Sequence, residues 1–353
     1  MEKLDDLVRQ SKFMKRRTFL KLSGLLGLGM ASAGIVPVTA EALRFNRKMM
    51  KVSRTRLAMG TFVSMTLIHP SREQAEEAMG LALNEIDRLS GLLSRFDDAT
   101  AVAQLNKEGY LKDVPPEVSQ VVATALRYHR VTEGSFDITV KPLVDLFKEK
   151  FGGEKKTKIA EKELEEVLKL VDAEKIELRE GAILFEKPGM GITLDGIAKG
   201  YIVDKASEIL SRNKIENHLI NAGGDIRTRG TKTGNRPWTV AIQDPLKRKN
   251  YPDIVHMRNG AIATSGNYEI YFDREKMFHH IVNPKTGLSP ELSTSVSVVA
   301  NTTMEADALS TSVFVMPPAQ GTRFVNGLPN CECLVLAKDG TLSKSKGWKS
   351  AAI

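Results

Sequence analysis

The chain has 353 residues, a formal charge of +8, 42% hydrophobic and 27% charged residues. That is a globular balance, which excludes a disordered chain and leaves room for one large α/β or α+β unit. Residues 1–40 hold seven Lys/Arg against three Asp/Glu, so half of the surplus charge lies there, and no Arg/Lys cluster interleaved with aromatics follows residue 60, which argues against a nucleic-acid partner.

The first 40 residues read as an export leader. The pair Arg16-Arg17 is followed by Phe19, Leu20 and Lys21, and no charge occurs from Leu22 to Ala40. This fits a twin-arginine signal, whose receptor reads paired guanidiniums ahead of a mildly apolar segment. Gly24, Gly27, Gly29, Gly34 and Pro37 dilute the run, which is barely long enough to span a bilayer, so a retained anchor is the alternative. Val38-Thr39-Ala40 offers a cleavage site, and no Cys follows for a lipid anchor. The expectation is a leader at 1–40, a single domain at 41–353, export through the twin-arginine machinery, and work in the periplasm or on the extracytoplasmic face.

Leu57–His69 alternates enough for a strand. Ser71 and Gln74 have capping-box spacing ahead of a helix with Ala75, Ala78, Leu81, Ala82, Ile86 and Leu89 on its apolar side. Pro115-Pro116 opens a second helix, ended by Gly134. The charge-rich stretch 148–169 reads as a helical, solvated insertion without a strong core face. Short strands at Ile176–Leu178 and Ile183–Glu186 lead to a helix from Ile197 to about Leu210. The last third is strand-dominated: His218–Asn221, Trp238–Ile242, Ile254–Met257, Ala261–Thr264, Tyr268–Phe272, His279–Val282 and Ser295–Ala300. A helix at Thr303–Phe314 and a strand at Cys333–Ala337 follow. Cys331 and Cys333 match neither a zinc ribbon nor a C-x-x-C redox loop, so they read as strand residues near a turn. Hairpin-like succession without strict βα alternation predicts α+β, with mixed, largely antiparallel sheets flanked by helices.

Four glycine-rich segments carry isolated ionisable groups. Gly134-Ser-Phe-Asp-Ile-Thr139 is either a helix stop with an N-cap Asp or a ligand loop. Leu194-Asp-Gly-Ile-Ala-Lys-Gly200 opens a helix, where N–H groups and Lys199 could receive a phosphate, or Asp195 could simply cap. Neither standard nucleotide fingerprint is present. Asn221-Ala-Gly-Gly-Asp225 is a tight turn or a close backbone approach to a ligand. Thr264-Ser-Gly-Asn-Tyr268 leads to His279-His280, which on a strand alternate faces, so at most one points into a site. On the Thr303–Phe314 helix, Asp307 and Thr311 share a face at i, i+4. They could form a side-chain hydrogen bond or offer the hard oxygens Mg²⁺ or Ca²⁺ prefers.

Taken in order, MGTFVSMTL, GSFDITVKPLVDLF, LDGIAKGYIVD, LINAGGDI, PWTVAIQDP, IATSGNYEIYF, HHIVNPKTG and EADALSTSVFV resemble the ApbE family of FAD:protein FMN transferases. The resemblance spans about residues 57–316 and implies an ApbE-type, T-fold-like architecture. It further implies a Mg²⁺-dependent enzyme that cleaves FAD, releases AMP, and esterifies the FMN phosphate to a threonine of an exported electron-transport flavoprotein subunit. Carried over residue by residue, Met59 and Phe96 border the flavin nucleotide. The segment after Phe96, DDATAVAQLN, departs from the family's serine-rich form. Ser135, Phe136, Asp137, Asp195, Lys199, Ser265, Gly266 and Ile281 contact FAD. Asp307, Thr311 and the carbonyl of Ala198 hold the metal, and His280 is the base for the acceptor threonine. Two alternatives remain open: hydrolysis of FAD to FMN and AMP, with water in place of threonine, and a non-enzymatic flavin carrier.

Overall fold

The computed structural model describes residues 44–45, 49–151, 159–232, 234–245, 251–267, 279 and 281–351. The expected leader at 1–40, the expected strand at 268–272 and His280 lie outside the described residues.

The chain enters through β1 (Arg44–Phe45), β2 (Met49–Ala58) and β3 (Thr61–His69), then α1 (Arg72–Leu93) and α2 (Ala101–Glu108). β4 (Tyr110–Lys112) and α3 (Pro116–Val131) precede a 3-10 turn at Ile138–Val140, α4 (Lys141–Phe151) and α5 (Glu161–Leu168). The hairpin β5 (Ile176–Arg179) and β6 (Ala182–Phe185) leads to α6 (Ala198–Arg212). Strands β7 (Asn217–Ala222), β8 (Asp225–Arg229), β9 (Trp238–Ala241), β10 (Ile254–Met257), β11 (Gly260–Gly266) and β12 (Ser293–Ala300) follow. The chain closes with α7 (Thr303–Val315), α8 (Pro318–Asn326), β13 (Glu332–Ala337) and β14 (Leu342–Lys344).

Nine strands form one sheet in the order β1-β2-β3-β7-β8-β11-β12-β13-β14. Every strand pairing among the described residues is antiparallel. Strand alternation divides the core. Val63, Met65, Ile220, Ala261, Ala263, Val298 and Val335 face the layer of α1, α6, α7 and α8, whereas Ile68, Leu219, Ile262 and Leu334 face the β9–β10 pair with Trp238, Val255 and Trp348. Each such side chain contributes ~1.5–3 kcal/mol on burial. The helix α7 lies inside the helical layer with ten of its residues buried, among them Asp307 and Ser310. That position explains its apolar sequence.

Several expectations need correction. The single strand at Leu57–His69 is a hairpin, because Met59 (φ 52°) and Gly60 (φ 68°) both turn left-handed between Ala58 and Thr61. Ser71 does cap α1, its hydroxyl accepting from Gln74 N at 3.3 Å, but its own N–H donates to His69 Nδ1 at 3.2 Å, so the box is not closed by Gln74. Among the described residues of the expected strand His279–Val282, His279 forms only an isolated bridge and 281–282 are not in a strand; His279 N donates to Ser289 Oγ at 2.9 Å and His279 O accepts from the same hydroxyl at 3.0 Å. The stretch 148–169 is more than a solvated insertion. Leu164, Val167 and Leu168 of α5 pack on a small core of Leu143, Val144, Phe147 and Val282. Helices α2 and α8 were not anticipated.

The register brings three chain reversals to one end of the large sheet. These are the Met59-Gly60 turn, the Gly223-Gly224 turn between β7 and β8, and the Ser265-Gly266 end of β11. From that end β12 runs away and α7 returns, so the second half of α7 reaches back to Ser265.

Candidate active site

At the sheet end, Gly223 (φ +62°) and Gly224 (φ +103°) make the two-residue turn that joins Ala222 to Asp225. A Cβ on Gly223 would lie 2.4 Å from Thr61 Oγ1, so the turn presses directly on β3. Asn221 Oδ1 accepts from Gly224 N at 3.0 Å and sets the turn from within. Met59 adopts the same left-handed backbone without being glycine, a conformation that costs ~1–2 kcal/mol.

The loop Leu194–Ile197 delivers the chain into α6, with Ala198 N bonded to Leu194 O at 2.8 Å. Gly196 sits against α7: a Cβ there would be 3.1 Å from Thr311 Oγ1 and 3.4 Å from Phe136 Cε2. One turn on, Gly200 N donates to Asp307 Oδ2 at 3.0 Å, and a Cβ on Gly200 would be 2.4 Å from Thr303 O. No side chain other than hydrogen fits between α6 and α7 at this point. The two helices are further tied by Asp204, whose carboxylate oxygens accept from Thr303 N and Met304 N, both at 2.9 Å, and so cap α7. Gly196 and Gly200, on either side of Ala198, thus meet Thr311 and Asp307 of α7.

Three hydroxyls line the same place. Ser265 Oγ lies 2.8 Å from Ser310 Oγ and 3.3 Å from Thr311 Oγ1. Ser310, left without assigned work by the sequence, thus anchors the β11 end to α7. Asp225, which the sequence placed only in a turn, is 2% exposed and pairs with Lys199 Nζ at 3.3 Å, in a geometry that leaves its Oδ2 without a hydrogen bond. Burial raises the Asp225 pKa, with Lys199 pulling it back. Asp307 is raised well above the carboxylate range by burial first and by the Asp225 charge second. Two buried acids sharing one lysine, faced by hydroxyls and a helix N-terminus, form an oxygen-rich setting suited to a hard divalent cation.

A second cluster stands at the mouth. Arg95 donates to Asp195 Oδ2 at 3.0 Å and to Thr193 Oγ1 at 3.1 Å, and its guanidinium lies 4.3 Å from the centre of the Phe96 ring. Phe96 itself is 70% exposed. Sequence reasoning missed Arg95 because nothing in one chain segment shows a partner 100 residues away.

The Ser135–Asp137 segment contributes unevenly. Phe136 is buried beside Gly196. Both carboxylate oxygens of Asp137 are engaged internally: Oδ1 accepts from Thr139 N at 2.7 Å, and Oδ2 accepts from Ala173 N at 3.1 Å, with His129 Nδ1 at 3.2 Å. The Asp137 hydrogen bond raises the His129 pKa against the opposing effect of burial. Ser135 borders a separate cleft of about 230 Å³ with Lys285 and Arg323. Ile281 is buried, and its N–H donates to His279 Nδ1 at 3.3 Å. His279 is the inward histidine, edge-on to Phe314 at 5.6 Å, and its Nε2–H donates to Pro290 O at 3.0 Å. His280 lies outside the described residues.

The ApbE family model matches residues 59–335. The FAD:protein FMN transferase of Haemophilus influenzae is 29% identical over 84% of this chain and 87% of that protein. The Vibrio cholerae protein of the same name is 31% identical over 67% of this chain and 74% of its own. The crystal structure of the ApbE protein from Thermotoga maritima superposes with a TM-score of 0.76 at 29% identity, covering 84% of this chain and 97% of that one. The matched span runs from the Met59 turn through α7 to β13 and so contains every described element of the site, and on that match the chain belongs to the ApbE family.

Proposed function

We propose that the protein moves the FMN half of FAD onto a threonine of an acceptor protein, with AMP leaving and Mg²⁺ required, outside the cytoplasmic membrane. The relatives' name, FAD:protein FMN transferase, supports the reaction class, and the leader at 1–40 supports the location. The observation that carries the reading is the buried Asp307 carboxylate set beside the Thr311 and Ser265 hydroxyls at the open start of α6.

The residues present fit Mg²⁺. Asp307, Thr311 and the Ala198 carbonyl are hard oxygen donors, and the acid excess of Asp307 and Asp225 over Lys199 favours a cation. Bound there, Mg²⁺ supplies charge neutralisation on the pyrophosphate oxygens. The chain's own groups do the rest. Lys199, in the first turn of α6, supplies positive charge toward a phosphate at that helix start. Met59 and Phe96 border the flavin nucleotide, and Ser135, Phe136, Asp195, Ser265, Gly266 and Ile281 contact FAD, while Asp137 holds the Ser135–Phe136 segment in shape through Thr139, Ala173 and His129. His280 takes the threonine proton as that oxygen bonds to the FMN-side phosphorus and the pyrophosphate P–O bond to AMP breaks. The acceptor is an exported flavoprotein subunit of an electron-transport complex.

Incubating the purified protein with FAD, MgCl₂ and a threonine-bearing acceptor domain tests this. The acceptor is expected to gain one FMN by mass and to fluoresce as flavin on a denaturing gel, with EDTA preventing both. An unlabelled acceptor beside accumulating free FMN would replace transfer with hydrolysis. An unlabelled acceptor with FAD intact would leave a flavin carrier.

A further inference from the structure

We propose that Arg95 is a positioning residue that locks two nucleotide-contacting groups, Phe96 and Asp195, into one rigid mouth. The inference rests on the reading above that both groups meet FAD.

The Arg95 side chain is 7% exposed, although it stands at the edge of the site. Its guanidinium reaches two distant chain segments at once. Nη2 and Nε donate to Asp195 Oδ2 at 3.0 and 3.3 Å, Nε also donates to Thr193 Oγ1 at 3.1 Å, and Nη1 lies 3.9 Å from Asp145 Oδ1 on α4. Its face covers Phe96 at 4.3 Å from the ring centre, and Lys148 Nζ lies 5.0 Å from that centre.

Phe96 is 70% exposed on the bend between α1 and α2, so apolar packing does not fix its plane. The Arg95 cation packed on the ring does, with Lys148 as a second and more distant cation, and holds the exposed aromatic in place for stacking. The second effect is on charge. Asp195 is half-exposed and stands where a dianionic pyrophosphate must approach. An uncompensated carboxylate there would repel FAD, whereas one neutralised by a permanently charged guanidinium keeps its other oxygen as a hydrogen-bond acceptor. A planar fork performs both tasks at once. A lysine at this position could pair with Asp195 or sit under Phe96, but its point charge cannot fix both.

The test uses the full chain and two variants, Arg95→Met and Arg95→Lys. FAD is titrated in EDTA, so no turnover occurs, and quenching of flavin fluorescence gives both affinity and ring stacking. Arg95→Met is expected to weaken FAD binding roughly 10- to 100-fold, the scale of a charge-assisted hydrogen bond, and to lower the quench at saturation. Arg95→Lys should recover part of the affinity and little of the quench. With Mg²⁺ and acceptor added, KM for FAD should rise while kcat changes less than about threefold, the signature of lost binding without lost chemistry. Thermal melts on the same samples separate loss of fold from loss of binding, and if Arg95→Met does not fold, Arg95→Lys decides. Lys148→Met, which removes only the second cation near Phe96, should cost less than Arg95→Met. An equal cost would show that the bridge to Asp195 carries nothing, and would overturn the proposal. Wild-type affinity and quench in both Arg95 variants would overturn it while leaving the transferase reading standing. No FAD binding by the wild-type protein would remove both.

Discussion

At the scale of the residue, Asp307 is decided by its surroundings. It is 5% exposed, holds Gly200 N–H, and faces Asp225 across the Lys199 ammonium. Asp307→Asn keeps the size and the acceptor oxygen for Gly200 while removing the charge. Mg²⁺-dependent acceptor labelling is expected to fall on the order of 10²–10³-fold, while the melting temperature holds or rises because a buried acid has been neutralised. Labelling near the wild-type rate would take Asp307 out of the metal site. Met59 offers the opposite trade. Its left-handed backbone is strained, so Met59→Gly should stabilise the protein by about 1 kcal/mol in urea melts and loosen FAD in the quench titration. Stabilisation without loosening would mean that the Met59 side chain does not border the nucleotide. The sequence pointed to both positions, but the strain at Met59 was not legible, because Leu57–His69 alternates like an unbroken strand.

At the scale of the element, the contact of α6 with α7 sets the site. Gly200 allows it, since any Cβ would strike the Thr303 carbonyl and the Met304 backbone at 2.4 and 2.7 Å. Backbone cannot swing aside as a flexible side chain can. Gly200→Ala is therefore expected to cost about 3 kcal/mol and to separate Ala198 from Asp307. A drop in both melting temperature and labelling would be seen, and an unaltered melting temperature would contradict the packing argument. The helices themselves were largely legible: Thr302 caps α7 and Pro116 opens α3. Helix α2 was not, because its start depends on Thr100 accepting from Ala103 N at 3.1 Å within a run that reads as polar loop. Helix α5 was read as a helix without a core face, because its partners Leu143, Phe147 and Val282 come from other parts of the chain.

At the scale of the whole molecule, the C-terminal tail closes the sheet face opposite the site through Asp253. Trp348 Nε1, Ser350 Oγ and Lys344 Nζ approach Asp253 Oδ2 at 2.8, 2.7 and 2.7 Å. Burial pushes the Asp253 pKa up, but these partners outweigh it and hold the carboxyl at about 2. A pKa lowered on folding gives stability that is complete above the unfolded value near ~4 and is lost as pH falls toward about 2. The wild-type protein should thus lose up to ~2 kcal/mol across that window by this group. Asp253→Asn should be less stable at neutral pH and flatter below it. Parallel acid slopes for the two proteins in urea melts would show that the clasp does not act.

The sequence alone determined the α+β class, most strands and helices, the leader-like composition, and the ordered motifs that resemble the ApbE family, because periodicity, caps and turn residues act over a few positions. Only the tertiary structure decided that Arg95 joins Phe96 to Asp195, that Asp225 shares Lys199 with the site, that Asp137 accepts from the distant Ala173 N–H beside His129, and that His279 is held by Ser289 and Pro290. Each of these is a contact across sheet register or helix packing, set by the burial of charge among segments far apart in the chain, and no local pattern encodes which distant oxygen a buried cation will meet.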